Sequence, residues 1–293
     1  MFTGVLPPIP TPFDENGELD LGALQANIAR WNETGLAGYV ALGSNGEAAL
    51  LDDGESRAVV RGVREAMAPG MTLMAGTGRE STRSTLEACV AAADAGADVA
   101  LVITPWFYKG SMTADVLRRH YETVADASPI PLLLYNMPAN TGVNMPVAVA
   151  AELSGHPNIL GIKDSAGDIG QLSGLIRTTR KDFAVMAGNA GAFLPGLVLG
   201  ATGGILALAN VAPRQTVALY QAARAGRLDE ARALHDQLMP VATAVTRTYG
   251  ISGLKAALDM VGYVGGLPRP PLLPLSPEAK ADLRRILEGA GLL

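Results

Sequence analysis

Lys163 is the one lysine of this chain set in an apolar, strand-like run: Ile159, Leu160, Gly161 and Ile162 precede it, and Asp164 and Ser165 follow. The other four lysines stand elsewhere, Lys109, Lys181 and Lys280 in polar surroundings and Lys255 in an amphipathic helical stretch. A buried ammonium is costly unless paired, so such a lysine either finds a partner or gives up its proton. The neutral amine is a nucleophile, and the reaction open to it is Schiff-base formation with a ketone. The competing reading is a strand-end lysine that reaches solvent or pairs with Asp164. Tyr135 lies 28 residues earlier, in PLLLYNMP. A phenol beside a nucleophilic amine can shuttle protons while a carbinolamine forms and collapses. It can equally be a lining aromatic bonded to backbone. The loop Gly43-Ser44-Asn45-Gly46-Glu47 offers exposed backbone N–H groups and two side-chain donors, which suits a small carboxylate. The same residues also make ordinary turns.

These groups can act together only if the fold gathers them. Short apolar runs alternate with helical patterns at a regular beat. The spacing predicts strands at Val5–Pro10, Gly38–Leu42, Met71–Ala75, Val99–Thr104, Pro131–Tyr135, Leu160–Lys163, Ala184–Ala187 and Ile205–Ala207. Helical patterns lie between them, such as Leu21–Thr34, Glu55–Ala68, Ser81–Ala95, Ala114–Ala127 and Pro146–Leu153. The strands are near-continuously apolar, as parallel strands covered on both faces are. Eight such units, with no G-x-G-x-x-G after an early strand, indicate an α/β fold of the (β/α)8 TIM-barrel type. The barrel domain is expected over residues 1–226. Residues 227–293 follow as a packed helical extension, with helices expected at Leu228–Tyr249, Ser252–Val261 and Pro277–Glu288.

In a barrel the active site lies at the C-terminal ends of the strands. That rule gathers Ser44 and Asn45 after strand two, Trp106-Phe107-Tyr108 after strand four and Tyr135 on strand five. It adds Lys163-Asp164-Ser165 on strand six, Gly188 after strand seven and Ile205 on strand eight. Lys163 and Tyr135 end consecutive strands and can converge. The glycines after strands seven and eight could hold a phosphate or simply permit close helix packing.

Composition excludes several alternatives. A net charge of -5 and a pI of about 5.3 argue against nucleic acid or an anionic membrane as partner. A single cysteine, Cys89, cannot form an internal disulfide, and the start MFTGVLPPIPTPF lacks the basic and apolar regions of a secretory signal. A cytoplasmic location is expected. Phe183–Pro213 carries no charge, yet its glycines, Pro195, Asn189 and Asn210 suit buried α/β elements better than a membrane-spanning helix. His120, His156 and His235 lack ligand spacing and are read as helix-surface or capping residues, so no metal and no cofactor is expected.

GSNGE at 43–47, YNMPANTG at 135–142, GIKDSAGD at 161–168 and the pair AGNAG and GGILALAN near the end occur together in order. On these motifs the whole chain resembles the dihydrodipicolinate synthase / N-acetylneuraminate lyase family of pyruvate-dependent class I aldolases. Within it the chain looks most like 4-hydroxy-2-oxoglutarate aldolase, from Ser-Asn in the strand-two loop, PANTG at 138–142 and AVTRTYGISGLKAALDMVGYVGG. The resemblance implies that Lys163 forms a Schiff base with pyruvate, that Tyr135 shuttles protons, and that Ser44 and Asn45 hold the carboxylate. Gly188 and Ile205 would line the pocket and Ser165 would contact the second substrate. It also implies a homotetramer, a dimer of dimers. Two positions depart from the pattern. Asn140 stands where synthases of the lysine pathway carry an arginine for the carboxylate of aspartate semialdehyde. Phe107 stands where the family places a tyrosine that relays to the catalytic one, leaving Tyr108 or water as a substitute. The expected activity is cleavage of a 4-hydroxy-2-oxo acid to pyruvate and an aldehyde such as glyoxylate. The alternatives are the synthase reaction, a non-catalytic keto-acid-binding homologue, and a phosphosugar-binding barrel enzyme.

Overall fold

The computed structural model describes residues 2–293. Eight strands form in chain order: β1 (Gly4–Leu6), β2 (Gly38–Ala41), β3 (Thr72–Gly76), β4 (Val99–Ile103), β5 (Leu132–Asn136), β6 (Ile159–Asp164), β7 (Ala184–Ala187) and β8 (Gly203–Ile205). They make one sheet in the order β1-β8-β7-β6-β5-β4-β3-β2, and the ladders from β3 to β8 are parallel throughout. The chain after β1 also bridges to β2 through Pro8 and Val40, which brings the sheet round to its other edge. With helices between the strands and more beyond β8, this is the (β/α)8 barrel with C-terminal helices that the apolar beat predicts. The strands are buried on both faces, so hydrophobic runs rather than alternation identify them.

Helices α1 (Leu21–Trp31), α2 (Asp53–Ala66), α3 (Thr82–Asp94), α4 (Ala114–Ala127), α5 (Pro138–Thr141), α6 (Val147–Leu153), α7 (Ile169–Thr178) and α8 (Ala190–Leu199) follow the strands in turn. After β8 come α9 (Leu208–Val211), α10 (Pro213–Arg224), α11 (Leu228–Thr243), α12 (Gly250–Met260) and α13 (Pro277–Gly289). Most starts are set by side-chain caps. Asp52 and Glu55 form a reciprocal capping box at α2, and Ser81, Thr113, Asp168, Asn189 and Ser276 cap α3, α4, α7, α8 and α13. Each satisfies an N–H that the first turn would otherwise leave open.

Several boundaries differ from the sequence expectation; the first strand, for one, ends at Leu6 rather than Pro10. The last strand is Gly203–Ile205 rather than Ile205–Ala207. Gly203 lies against the backbone of Gly4, so close that a Cβ would collide with it. A search for large apolar side chains misses a strand whose first residues need to have none. The helix expected over Leu228–Tyr249 stops at Thr243 and widens into a π-turn over Ala244–Thr248 before α12. The charge-free stretch divides among β7, α8, β8 and α9, and no helix of the described residues is long and apolar enough to cross a membrane.

Packing divides the chain into two compact units. One runs from Thr72 to Ile205 and includes the N-terminal end through Gly4; its core contains Met74, Leu101, Leu133, Ile162, Met186 and Tyr121, whose hydroxyl donates to Val102 O. The other comprises Val5–Met71 and Leu206–Leu293. There Trp31 is fully buried, stacks on Tyr263 and donates its indole N–H to Asn210 O.

Candidate active site

The β5–β6 ladder sets Tyr135 directly opposite Lys163, and Asn136 opposite Asp164. Both Tyr135 and Lys163 are buried, Lys163 with only 3% exposure. The Lys163 Nζ stands 4.1 Å from the centroid of the Tyr135 ring. No carboxylate lies at ion-pair distance from Lys163 among the described residues; in particular Asp164, the partner the sequence allowed, is engaged elsewhere. Alternate residues of a strand point to opposite faces, and the side chains of Asp164 and Lys163 part accordingly.

Asp164 is itself buried and accepts from Asn136 Nδ2 at 2.7 Å and Gln171 Nε2 at 2.9 Å. Asn136 Nδ2 also donates to Asn144 Oδ1, and Asn136 Oδ1 accepts from Met145 N. Burial pushes the Asp164 carboxyl above the usual aspartate range, while the two amide donors pull it down. This network ties the ends of β5 and β6 to α7 and to the segment after α5. Sequence reading did not single out Asp164 or Asn136 in this capacity; the polar residue after each candidate, YN and KD, was the available signal.

Beyond Lys163 the pairing with both neighbouring strands continues. Gly188 N donates to Asp164 O at 2.7 Å, and Ser165 N donates to Asn136 O. A Cβ on Gly188 would overlap Ser165 Oγ and press on Lys163 Cε, so the glycine is what lets serine and lysine share this corner. Ser165 Oγ is buried and has no hydrogen-bond partner in the protein. A buried hydroxyl left in this state is open to an oxygen or nitrogen of a ligand. Ile205 is buried at the end of β8.

In the other unit, Ser44, Asn45 and Gly46 form a 3-10 turn after β2, with Ser44 and Asn45 half-buried and Gly46 buried. Thr11 Oγ1 donates to Gly46 O at 2.7 Å. Back in the unit that holds Lys163, Asn140 is exposed on the short α5. Tyr108 is 71% exposed and packs edge-on against the equally open Phe107 ring, while Glu80 accepts from the backbone N–H groups of Trp106 and Phe107.

One further expectation is corrected. His120 is not a surface or capping residue; it is buried, with Nδ1 2.9 Å from Thr82 Oγ1, and burial lowers its pKa to about 4. Lys255, in the helical stretch where the sequence places it, is buried and paired with Glu47. A helix of mean polarity conceals which of its polar residues faces inward until its neighbours are known.

An amine buried without a counter-charge at the C-terminal end of a barrel strand, with a phenol on the adjoining strand, is an arrangement that could capture a carbonyl compound on lysine, the chemistry of one class of barrel enzymes. Comparison with known proteins narrows the class. The profile of the dihydrodipicolinate synthetase family matches residues 1–290, and the chain belongs to that family. It is 40% identical over 288 residues to the 4-hydroxy-tetrahydrodipicolinate synthase of Methanothrix thermoacetophila, covering 98% of this chain and 96% of the relative. It is 38% identical over 294 residues to the enzyme of the same name from Methanoculleus marisnigri, covering 99% and 100%. Among solved structures, the chloride-inhibited dihydrodipicolinate synthase of Acinetobacter baumannii complexed with pyruvate superposes with a TM-score of 0.95 at 32% identity, covering all of both chains. The chain is thus an enzyme, a carbon–carbon lyase of the Schiff-base-forming, pyruvate-dependent class.

Proposed function

We propose that Lys163 captures pyruvate and that the resulting enamine is joined to aspartate semialdehyde, the reaction for which the curated relatives are named. The observation that carries the reading is the buried, ion-pair-free amine of Lys163 beside the Tyr135 ring and the unpartnered Ser165 hydroxyl. Neutral Lys163 adds to the ketone carbon of pyruvate, and Tyr135 returns a proton to the departing oxygen so that water leaves and an iminium forms. Loss of a proton from the methyl carbon gives the enamine, whose carbon attacks the aldehyde. The amino group of the acceptor then adds to the C=N carbon and displaces the lysine amine, which closes the ring and frees Lys163. Ser44 and Asn45 are assigned the pyruvate carboxylate, Gly188 and Ile205 the pocket wall, and Ser165 a hydrogen bond to the acceptor. The assembly proposed is a homotetramer, with the exposed Trp106-Phe107-Tyr108 cluster at a subunit contact; aromatic residues favour such positions.

Asn140 favours a second reading. With an amide in place of the arginine expected for a carboxylated acceptor, the same Schiff base would run in reverse on a 4-hydroxy-2-oxo acid. Tyr135 would remove the 4-hydroxyl proton, the bond between carbons three and four would break, and an aldehyde such as glyoxylate would leave. Borohydride reduction in the presence of pyruvate tests what the readings share: a stable adduct at Lys163 is expected, and active protein without it would overturn both. Consumption of aspartate semialdehyde with pyruvate, measured beside pyruvate release from 4-hydroxy-2-oxoglutarate, chooses between them. Asn140→Arg is expected to improve use of aspartate semialdehyde; no gain would show that the residue does not set acceptor choice.

A further inference from the structure

We infer that the C-terminal extension shapes the Ser44–Asn45 loop for carboxylate binding through a buried ion pair, with Glu47 and Lys255 as positioning residues. This rests on the proposed assignment of that loop to the pyruvate carboxylate. Glu47 follows the Ser44–Gly46 turn with φ 55° and ψ 32°, in the left-handed region, and Leu42 just before the turn has φ 56°. Residues other than glycine rarely hold such angles unless their surroundings impose them. The turn that presents Ser44 and Asn45 is therefore bracketed by two backbone positions that need external support.

For Glu47 that support comes from the far end of the sequence. Glu47 Oε1 meets Lys255 Nζ at 2.5 Å, and Glu47 Oε2 accepts from Arg269 N at 2.8 Å. Lys255 Nζ also donates to Leu267 O at 2.7 Å and sits 4.4 Å over the Phe13 ring. The Arg269 guanidinium makes a fork to Glu55, donates to Leu50 O and Gly17 O, and covers the same Phe13 ring. Residues 47, 50 and 55 are each clasped by the segment from 255 to 269, while Ser44 and Asn45, at the crest of the turn, are left half-buried. Two ions so deeply buried add little net stability over well-packed apolar side chains. What they add is direction: a carboxylate held at both oxygens fixes the orientation of the peptide that bears it. A hydrophobic pair would fill the space and leave that peptide free to choose.

The test uses the full-length protein and follows borohydride-trapped adduct at Lys163 by mass spectrometry, against concentration, for pyruvate and for acetone, a ketone without a carboxylate. In Lys255→Met, half-saturating pyruvate is expected to rise about tenfold or more, since a misplacement of an ångström is enough for such a loss, while acetone trapping stays as in the wild type. The double variant Glu47→Gln/Lys255→Met leaves no bare charge, retains the fold if the single variant does not, and carries the same expectation. Folded variants with wild-type dependence on pyruvate, or with equal losses for pyruvate and acetone, would overturn the positioning role. A wild-type protein that is active yet never labelled at Lys163 would instead overturn the Schiff-base reading, and the positioning role with it.

Discussion

Lys163 and Lys255 are buried to nearly the same depth, 3% and 1% exposed, and their surroundings differ in one respect. Lys255 ends on the Glu47 carboxylate and a backbone carbonyl. Lys163 ends beside an aromatic ring, a glycine and an unpartnered hydroxyl. Burial pulls the Lys255 pKa below the usual lysine value and Glu47 pulls it back, which is the balance of a structural ion pair. Burial of a lysine is thus no mark of a nucleophile. The partner, or its lack, separates an amine kept for a ligand from an amine already in use.

The contrast can be broken most forcefully by replacing each lysine with methionine. Lys163→Met is expected to reduce turnover roughly a thousandfold or more, with unfolding free energy unchanged to within about 1 kcal/mol because no ion pair is lost. Steady-state assay beside thermal unfolding checks both halves; a large fall in stability would mean that Lys163 has a structural partner after all. Tyr135→Phe, which keeps the ring beside Lys163 and removes only the hydroxyl, should lower turnover by about 10²–10⁴ at unchanged secondary structure by circular dichroism, and near-wild-type kinetics would remove its shuttle role. Lys255→Met should show the opposite profile to Lys163→Met: a stability loss of roughly 3–5 kcal/mol from the bare Glu47 left behind, read by denaturant unfolding.

His120 extends the comparison to a buried base without a counter-charge outside the site. Its folded pKa of about 4 lies below the usual 6.5, so the stability it contributes is complete above 6.5 and is lost as pH falls through 4. The total is roughly 3 kcal/mol. Urea titrations between pH 7 and 4 should show this slope, and His120→Phe should flatten it; an unaltered slope would place the acid sensitivity elsewhere.

Much of the fold was legible because parallel strands covered on both faces must be apolar throughout, and each of the eight expected strands overlaps the one observed. β8 was displaced because its backbone contact with Gly4 selects glycines, which hydrophobicity does not register. Lys163 and Tyr135 could be proposed from sequence, since a charge or phenol ending an apolar run is conspicuous. Glu47–Lys255 could not. The two residues stand on either side of the chain's midpoint, and each looks locally like an ordinary loop or helix residue.

The order of types along the chain determined the barrel, the strand ends that can carry chemistry and the pairing of Tyr135 with Lys163, because the period of a strand and the register of neighbouring strands are local matters. Only the tertiary structure decided which lysine has a carboxylate and which has none. Electrostatic partnership depends on a few ångströms across segments that the sequence separates by about two hundred positions, and no local pattern carries that distance.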